Sequence, residues 1–370
     1  MSIDVPSAGL SGAGELGNLY ERRPDAPLAK GDHVNGVRVL GFAFNYPARE
    51  LGRDADVLLL DGDEDYDEPP ARPVPSRRDE ENGTRIDRYG CHPAQSLRPG
   101  LLIRAQDLAP HLPSAVDSAI FRSAGGGVVR RLIEAADAQG HSMWLIGGAT
   151  RDLLKGAPEN DLDFCGTIPV GEMHDLAGEA LARNDAGDYR LRVSPRRVFS
   201  IKPEVGGERI LEYKPLALTG LRFPASGGDL NEDAACRDLT VNSIYYDPMK
   251  EVVADPTGKG VEHLFSVPLK LVTPYCGDDP MEQAQIVLRG LKFWLRWPDA
   301  DVSQLTEWAR SLPDDLPERI PDGAWFTVEG AWERCVRKRH RTRARELADR
   351  LGPAARRLLD ALLSGASDDA

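Results

Sequence analysis

No stretch of this 370-residue sequence approaches the roughly 20 consecutive apolar residues that a membrane-spanning helix needs, so no membrane partner is expected. The opening residues, Met1 to Gly9, have neither a basic region nor an apolar core, and a secretory signal is therefore not expected either. Paired cysteines are missing. Cys91, Cys165, Cys236, Cys276 and Cys335 stand singly with no Cys-x-x-Cys, which argues against a zinc ribbon or disulfide framework and for a reduced, cytoplasmic protein. A surplus of basic charge is also lacking. The net charge of −13 disfavours a general nucleic-acid binder, which needs a basic face for phosphates. There is no internal repeat.

What is present is an ordinary globular composition, 41% hydrophobic and 28% charged, on a chain long enough for two or three domains. Residues 1–30 are rich in Gly, Pro, Ser and Ala. Strand-like runs follow at Gly36–Phe44 and Val57–Leu60, and residues 62–100 read as a polar, proline-rich loop or disordered insert. From Val128 the signals sharpen. Val128, Val129, Leu132, Ile133 and Ala136 fall at helical spacing with Gly140 as a stop. A strand at 143–146, a Gly147-Gly148 turn, a short helix closed by Gly156, a strand at 161–165 and a helix at about 170–183 come next. Runs at Arg197–Lys202 and Arg209–Tyr213 suggest a hairpin across Gly206-Gly207. Beyond residue 230 the pattern is mostly helical, apart from strand-like Glu251–Asp255 and Leu269–Val272. Helices are predicted at 302–312, 327–350 and 353–364. The fold class is α+β, a small mixed sheet with helices followed by a short all-α region. The domains read as an extension of uncertain fold at 1–115, a head at 116–230, a helical neck-like region at 231–298 and a small basic helical region at 299–370.

The chemistry lies between residues 144 and 163. An apolar strand runs into Gly147 and Gly148, whose lack of Cβ lets backbone approach a polyphosphate closely. Asp161 and Asp163 then stand at alternate positions, so on a strand they face the same way and can hold the same cations. Two magnesium ions held by such carboxylates would serve nucleotidyl transfer, because magnesium takes oxygen ligands plus substrate phosphates. A third carboxylate would complete the site. Glu212, which interrupts the apolar run Arg209-Ile-Leu-Glu-Tyr213, is either that group or an edge-strand surface charge. A phosphatase of the haloacid-dehalogenase kind also uses Asp-x-Asp, but its aspartates follow a buried strand directly, whereas these follow the loop Lys155-Gly-Ala-Pro-Glu-Asn160. The glycine pair is neither a P-loop nor a dinucleotide fingerprint, since both need more glycines at fixed offsets.

Three motifs in order resemble the class II CCA-adding enzyme and bacterial poly(A) polymerase family. They are Gly147-Gly148-x-x-Arg151-Asp152 with Asp161-x-Asp163, Cys236-Arg237-Asp238-Leu-Thr-Val-Asn242, and Asp255-Pro-Thr-Gly258 followed by Glu262-His-Leu. The resemblance implies a polymerase-β-like nucleotidyltransferase head. It implies that Gly147 and Gly148 face the triphosphate, that Arg151 and Asp152 brace that loop, and that Asp161 and Asp163 bind magnesium. Arg237, Asp238 and Asn242 would contact the nucleotide, ATP or CTP, at its sugar and phosphates.

The family's base-selecting Glu-Asp-Pro-x-Arg is altered. Aligned on Asp278-Asp279-Pro280, Glu282 stands where Arg is expected; aligned on Leu288-Arg289…Phe293, Ile286 does, with Gln283 in place of the Asp. Asp279 and Arg289 remain as nucleotide-binding candidates. The chain beyond Trp297 is also too short for the family's tRNA-gripping helices. The expected reaction is thus transfer of a nucleotide to an acceptor hydroxyl other than ordinary CCA addition. The acceptor would be an RNA 3′ end docked on the basic run Arg334–Arg350, or else a small metabolite or peptide. The remaining alternative is a catalytically degenerate RNA- or protein-binding module. Five tryptophans beyond residue 293 read as core.

Overall fold

A computed structural model describes residues 97–122, 126–157, 161–168, 170–182, 189–193, 198–203, 209–218, 225–226, 229–321 and 324–365, together with the backbone of four N-terminal strands. The predicted loop at 62–100 and the turn at Gly206-Gly207 fall almost wholly outside the described residues. The chain divides into two compact units. One is Met1–Asp233 with Tyr245–Pro256, the other Ala234–Ile244 with Thr257–Ala370.

In the first unit, β1 (Ser2–Ile3), β2 (His33–Val34), β3 (Val37–Ala48) and β4 (Arg53–Leu60) form a four-stranded sheet in that order. Its two long strands take in Val37–Phe44 of the first run read as a strand in the sequence and all of the second, Val57–Leu60. The site belongs to the second sheet. Its strands are β5 (Leu102–Arg104), β6 (Met143–Leu145), β7 (Asp163–Gly166), β8 (Tyr189–Val193), β9 (Phe199–Pro203) and β10 (Leu211–Pro215). After a two-stranded pair, β11 (Ala217–Leu218) and β12 (Ala225–Ser226), come β13 (Tyr245–Asp247) and β14 (Val252–Ala254). The order across the eight-stranded sheet is β5-β14-β13-β6-β7-β10-β9-β8. Only β7 and β10 pair in parallel; every other adjacent pair is antiparallel.

The helices of this unit are α1 (Ala105–Leu108), α2 (Leu112–Arg122), α3 (Gly126–Ala138), α4 (Gly147–Leu154) and α5 (Val170–Ala182), with most of α6 (Leu230–Ala235), whose last two residues fall in the second unit. α3 buries the five residues whose spacing predicted it, each at most 4% exposed, and Gly140 ends the connection at φ +81°. β6 is buried on both faces, as a central strand between two neighbours should be. Strands β5, β8 and β13 were not foreseen. β5 and β13 are three residues long, too short to show an alternation of their own.

Asp233 ends the first unit before the chain leaves it, and Tyr245 is the residue on which it returns. The Tyr245 hydroxyl donates to the Asp233 carboxylate at 2.6 Å, and the Ala217 N–H donates to the other oxygen at 2.9 Å. Both side chains are buried.

The second unit is helical: α7 (Gly260–Phe265), α8 (Pro280–Arg296), α9 (Ser303–Arg310), α10 (Leu316–Arg319), α11 (Trp325–Cys335), α12 (Arg341–Leu351) and α13 (Pro353–Gly365). α8 buries Ala284, Val287, Leu288, Leu291 and Trp294, a stripe at helical spacing. The single helix predicted at 327–350 is two helices. The chain turns extended at Val336 (φ −129°, ψ 101°), which buries its side chain completely, and a 3₁₀ turn at Lys338–His340 precedes α12. The predicted strand at Leu269–Val272 is only a single bridge from Lys270 to Asp301. Among the described residues no helix is long and apolar enough to cross a membrane.

Candidate active site

Three adjacent strands bring the sequence candidates to one end of the sheet. β6 runs antiparallel to β7, so its exit lies beside the entry of β7; the Ile146 N–H donates to the Asp163 carbonyl at 3.0 Å. β10 runs parallel to β7 with Glu212 in register with Asp163. The turn into Gly147, Asp163 and Glu212 therefore sit at the same edge. Asp161 is not on the strand, as the alternate-position reading required. It lies two residues before β7 begins, in the lead-in. Glu212, left open in the sequence, stands next to the aspartates and is only partly exposed.

The residue that joins them is Arg209, to which the sequence assigned no role. Its Nη2 lies 3.1 Å from an Asp161 oxygen and 3.7 Å from Asp163 Oδ1, and its Nη1 donates to Glu212. Burial alone would lower the Arg209 pKa, but Glu212, Asp161 and Asp163 outweigh it and hold the guanidinium more firmly charged than usual. An arginine three residues before a strand glutamate carries no pattern of its own; only the register of β7 against β10 reveals its partners.

α4 begins directly at the glycine pair. Gly147 has φ +64°, a conformation that a side chain resists. A Cβ there would meet nothing within 4 Å, so the requirement is conformational and the space above the turn is open. Ile146 stands at the N-cap and makes no side-chain cap hydrogen bond, at the end of α4 where the helix dipole is positive. Arg151 and Asp152 form a buried bidentate pair, both bonds 2.9 Å. The Asp152 carbonyl accepts from Ala157 N–H at 2.9 Å, which ties down the exit of α4.

Tyr213 was also missed as a support. Its hydroxyl donates to the Ile168 carbonyl at 2.8 Å and accepts from the Ile168 N–H at 2.9 Å, pinning the chain just beyond β7. Gly166 closes β7 where a Cβ would lie 2.2 Å from the Ser142 carbonyl.

In the second unit Asp238 is the centre. Asn242 Nδ2 donates to it at 3.0 Å, its own neighbour's N–H (Leu239) at 2.8 Å, and Arg289 Nε from α8 at 2.5 Å. Burial would raise the Asp238 pKa, but the Arg289 charge and these hydrogen bonds overcome it and hold the carboxyl below the usual range. Arg289 also lies over the Phe293 ring, 5.3 Å from its centroid. Arg237 is half-buried beside Asp238. Asp279 does not join this cluster through any contact described; it caps α8, accepting from the Glu282 N–H at 2.9 Å. Gln283 is buried and donates to the Gly277 carbonyl at 3.1 Å, and Ile286 is buried.

The basic run is not one helix face. Arg334 lies in the last turn of α11, Lys338 and Arg339 lie in the 3₁₀ turn, and Arg341, Arg343, Arg345 and Arg350 lie on α12. Arg341 pairs with Glu333, Arg343 with Glu346 and Arg345 with Asp360, while Arg350 lies over Trp294. Of the five tryptophans, Trp294 and Trp332 are core; Trp297, Trp308 and Trp325 are half-buried.

Among the described residues no group of three or more His, Cys, Asp or Glu side chains is arranged to hold a metal ion. The donor chemistry nevertheless suits magnesium. Asp161, Asp163 and Glu212 are all carboxylates, and they already gather on one cation, the Arg209 guanidinium.

A mixed sheet thus presents carboxylates beside a glycine-led helix start. Residues 143–269, about a third of the chain, match the family model described as the poly A polymerase head domain. Among solved structures, a CCA-adding enzyme complexed with CTP is similar with a TM-score of 0.47 at 15% identity, over 68% of this chain and 54% of that one. The Bacillus stearothermophilus CCA-adding enzyme in complex with CTP gives 0.44 at 19%, over 60% and 51%. The Thermotoga maritima CCA-adding enzyme complexed with tRNA gives 0.38 at 15%, over 71% and 54%. The chain thus spans about half the length of these enzymes.

Proposed function

We propose that the protein is a magnesium-dependent nucleotidyltransferase that moves a nucleoside monophosphate from an NTP, ATP or CTP, to an acceptor hydroxyl and releases pyrophosphate. One observation carries this reading: Gly147 at the start of α4, Asp163 at the start of β7 and Glu212 in register with it share one end of three adjacent strands. The first N–H groups of α4 donate to phosphate oxygens. Asp161, Asp163 and Glu212 hold the metal, for which we propose two ions. When bound, the metal supplies charge neutralisation at the triphosphate and activation of the attacking hydroxyl. Arg151 and Asp152 keep α4 rigid beneath the phosphates. In the second unit, Arg237, Asp238, Asn242, Asp279 and Arg289 are kept as nucleotide contacts on their motifs; Asp238 would meet a sugar hydroxyl while ionised.

For the acceptor we propose an RNA 3′ end, but not ordered CCA addition, because neither Glu282 nor Ile286 can donate to a base edge as an arginine does. RNA would meet the exposed Arg334, Arg337, Lys338 and Arg339 first. A small metabolite or peptide hydroxyl is favoured as the second reading by the ion pairs that already engage Arg341, Arg343 and Arg345. The test is incubation of the purified protein with each labelled NTP, magnesium and either cellular RNA or a small-molecule extract. Label on a nuclease-sensitive polymer supports RNA, label on a small product supports the second reading, and no label in either defeats the proposal.

A further inference from the structure

The Arg209 guanidinium stands among the Asp161, Asp163 and Glu212 carboxylates, and it reaches all three. We propose that Arg209 is a built-in counter-cation that occupies the carboxylate cluster before substrate arrives, so that metal enters tightly only together with nucleotide. The inference rests on the carboxylates being the metal site.

The argument is electrostatic. Register sets the Glu212 and Asp163 backbones directly beside each other with both side chains on one face of the sheet, so the two carboxylates stay close neighbours. Like charges held this close repel, and a cation between them relieves that repulsion. Arginine suits that task better than lysine, because its planar fork has five donors and can serve several carboxylates at once. The backbone holds the fork at the site. The next residue, Ile210, is 2% exposed and its N–H donates to the Ile201 carbonyl at 2.9 Å, so the main chain beside Arg209 is fixed while its side chain remains about a third exposed and able to swing.

A divalent cation needs the same oxygens that the guanidinium contacts. Metal alone must displace Arg209 into water. Metal arriving with a triphosphate offers the displaced guanidinium a new set of anionic oxygens, to which arginine binds bidentately. Metal and nucleotide should therefore bind cooperatively, and Arg209 should be the source of the coupling.

The experiment titrates Mn²⁺ into the full chain and follows the free-ion electron paramagnetic resonance signal, with and without α,β-methylene ATP. Wild type should bind Mn²⁺ weakly alone and more tightly with the analogue. Arg209→Gln should bind Mn²⁺ alone about tenfold more tightly, the effect of deleting one nearby positive charge in a partly exposed site, and should lose most of the gain from the analogue. In chelator its melting temperature should fall, and Mn²⁺ should restore it. Arg209→Lys, which keeps the charge, should resemble wild type and covers the case in which the glutamine variant fails to fold: a lysine variant binding Mn²⁺ alone as tightly as expected for glutamine would overturn the proposal. A folded Arg209→Gln that binds Mn²⁺ no better than a wild type which does bind it overturns the counter-cation role and leaves the metal site standing. Absence of Mn²⁺ binding by both proteins, with and without the analogue, overturns both.

Discussion

Glu212 lies directly opposite Asp163 on parallel neighbouring strands, the one parallel pair in a sheet otherwise antiparallel throughout. In an antiparallel pair the entry of one strand faces the exit of the next. Parallel pairing instead sets two strand entries side by side, so carboxylates arriving from distant parts of the sequence reach the same edge.

The first prediction follows from that adjacency. Asp161→Ala, Asp163→Ala and Glu212→Gln should each reduce nucleotidyl transfer by about a thousandfold or more, since a shared metal site loses its template with any one ligand. The fold should persist, because removing one of three neighbouring negative charges relieves repulsion. Labelled-NTP incorporation and thermal melts on the same preparations check both halves; full activity in Asp163→Ala would remove the metal reading.

A second prediction concerns the product. With Gln283 buried on the Gly277 carbonyl and Ile286 in the core, α8 offers no arginine at either position where the family's base-reading residue aligns. A tRNA lacking its terminal nucleotides should gain one nucleotide or a run of one type, not an ordered C-C-A. Sequencing the 3′ ends decides it, and faithful CCA repair would show the reading of residues 278–289 to be wrong.

The third tests the acceptor. Arg337, Lys338 and Arg339 are exposed where α11 gives way to α12. Changing all three to Glu should raise the KM for an RNA acceptor and lessen the slope of log affinity against log salt by about two to three, roughly one for each phosphate left without its cation. An unchanged KM and slope would favour a small acceptor.

Stability gives a fourth. A Cβ at Gly166 would sit 2.2 Å from the Ser142 carbonyl and 3.0 Å from the Tyr213 hydroxyl. Gly166→Ala should cost about 3 kcal/mol or more, because backbone rather than a flexible side chain must move. Gly178→Ala on α5, where a Cβ meets nothing within 4 Å, should stabilise by up to ~1 kcal/mol. Urea midpoints for the two variants should move in opposite directions.

The fifth is a pH dependence. The Asp238 carboxyl is held below its usual value, about 3.9, so its contribution is complete above that pH and disappears as pH falls through the lower folded value. Asp238→Asn should destabilise the second unit at neutral pH by about 1–3 kcal/mol and flatten its acid unfolding below about pH 4. Denaturation midpoints between pH 2 and 7 provide the measurement; parallel curves for variant and wild type would contradict it.

The glycine turn, the aspartates and the apolar stripe of α3 were legible because each is a local pattern: a period, a doublet, a spacing. Glu212 was legible only as a charge in an apolar run, and its partner strand decided what it touches. Arg209 and Tyr213 were illegible, since their roles depend on contacts across 45 residues or more to Asp161 and Ile168. The break at Val336 was missed for a related reason. Its basic neighbours continue helical spacing on both sides, and only the burial of the valine turns the chain extended.

The hydrogen bond from Tyr245 to Asp233 clips together the two ends of an eleven-residue excursion, Ala234–Ile244, that departs from the sheet-bearing unit and comes back to it. Because the chain passes between the units three times, no single cut separates them. Cleavage after Pro256 would release the helical unit without Arg237, Asp238 and Asn242, which stay attached to the other fragment through both of their ends. Neither unit can therefore be exchanged whole by joining the front of one gene to the back of another: a junction before Ala234 takes β13 and β14 away from the rest of their sheet, and one after Pro256 leaves Arg237, Asp238 and Asn242 behind.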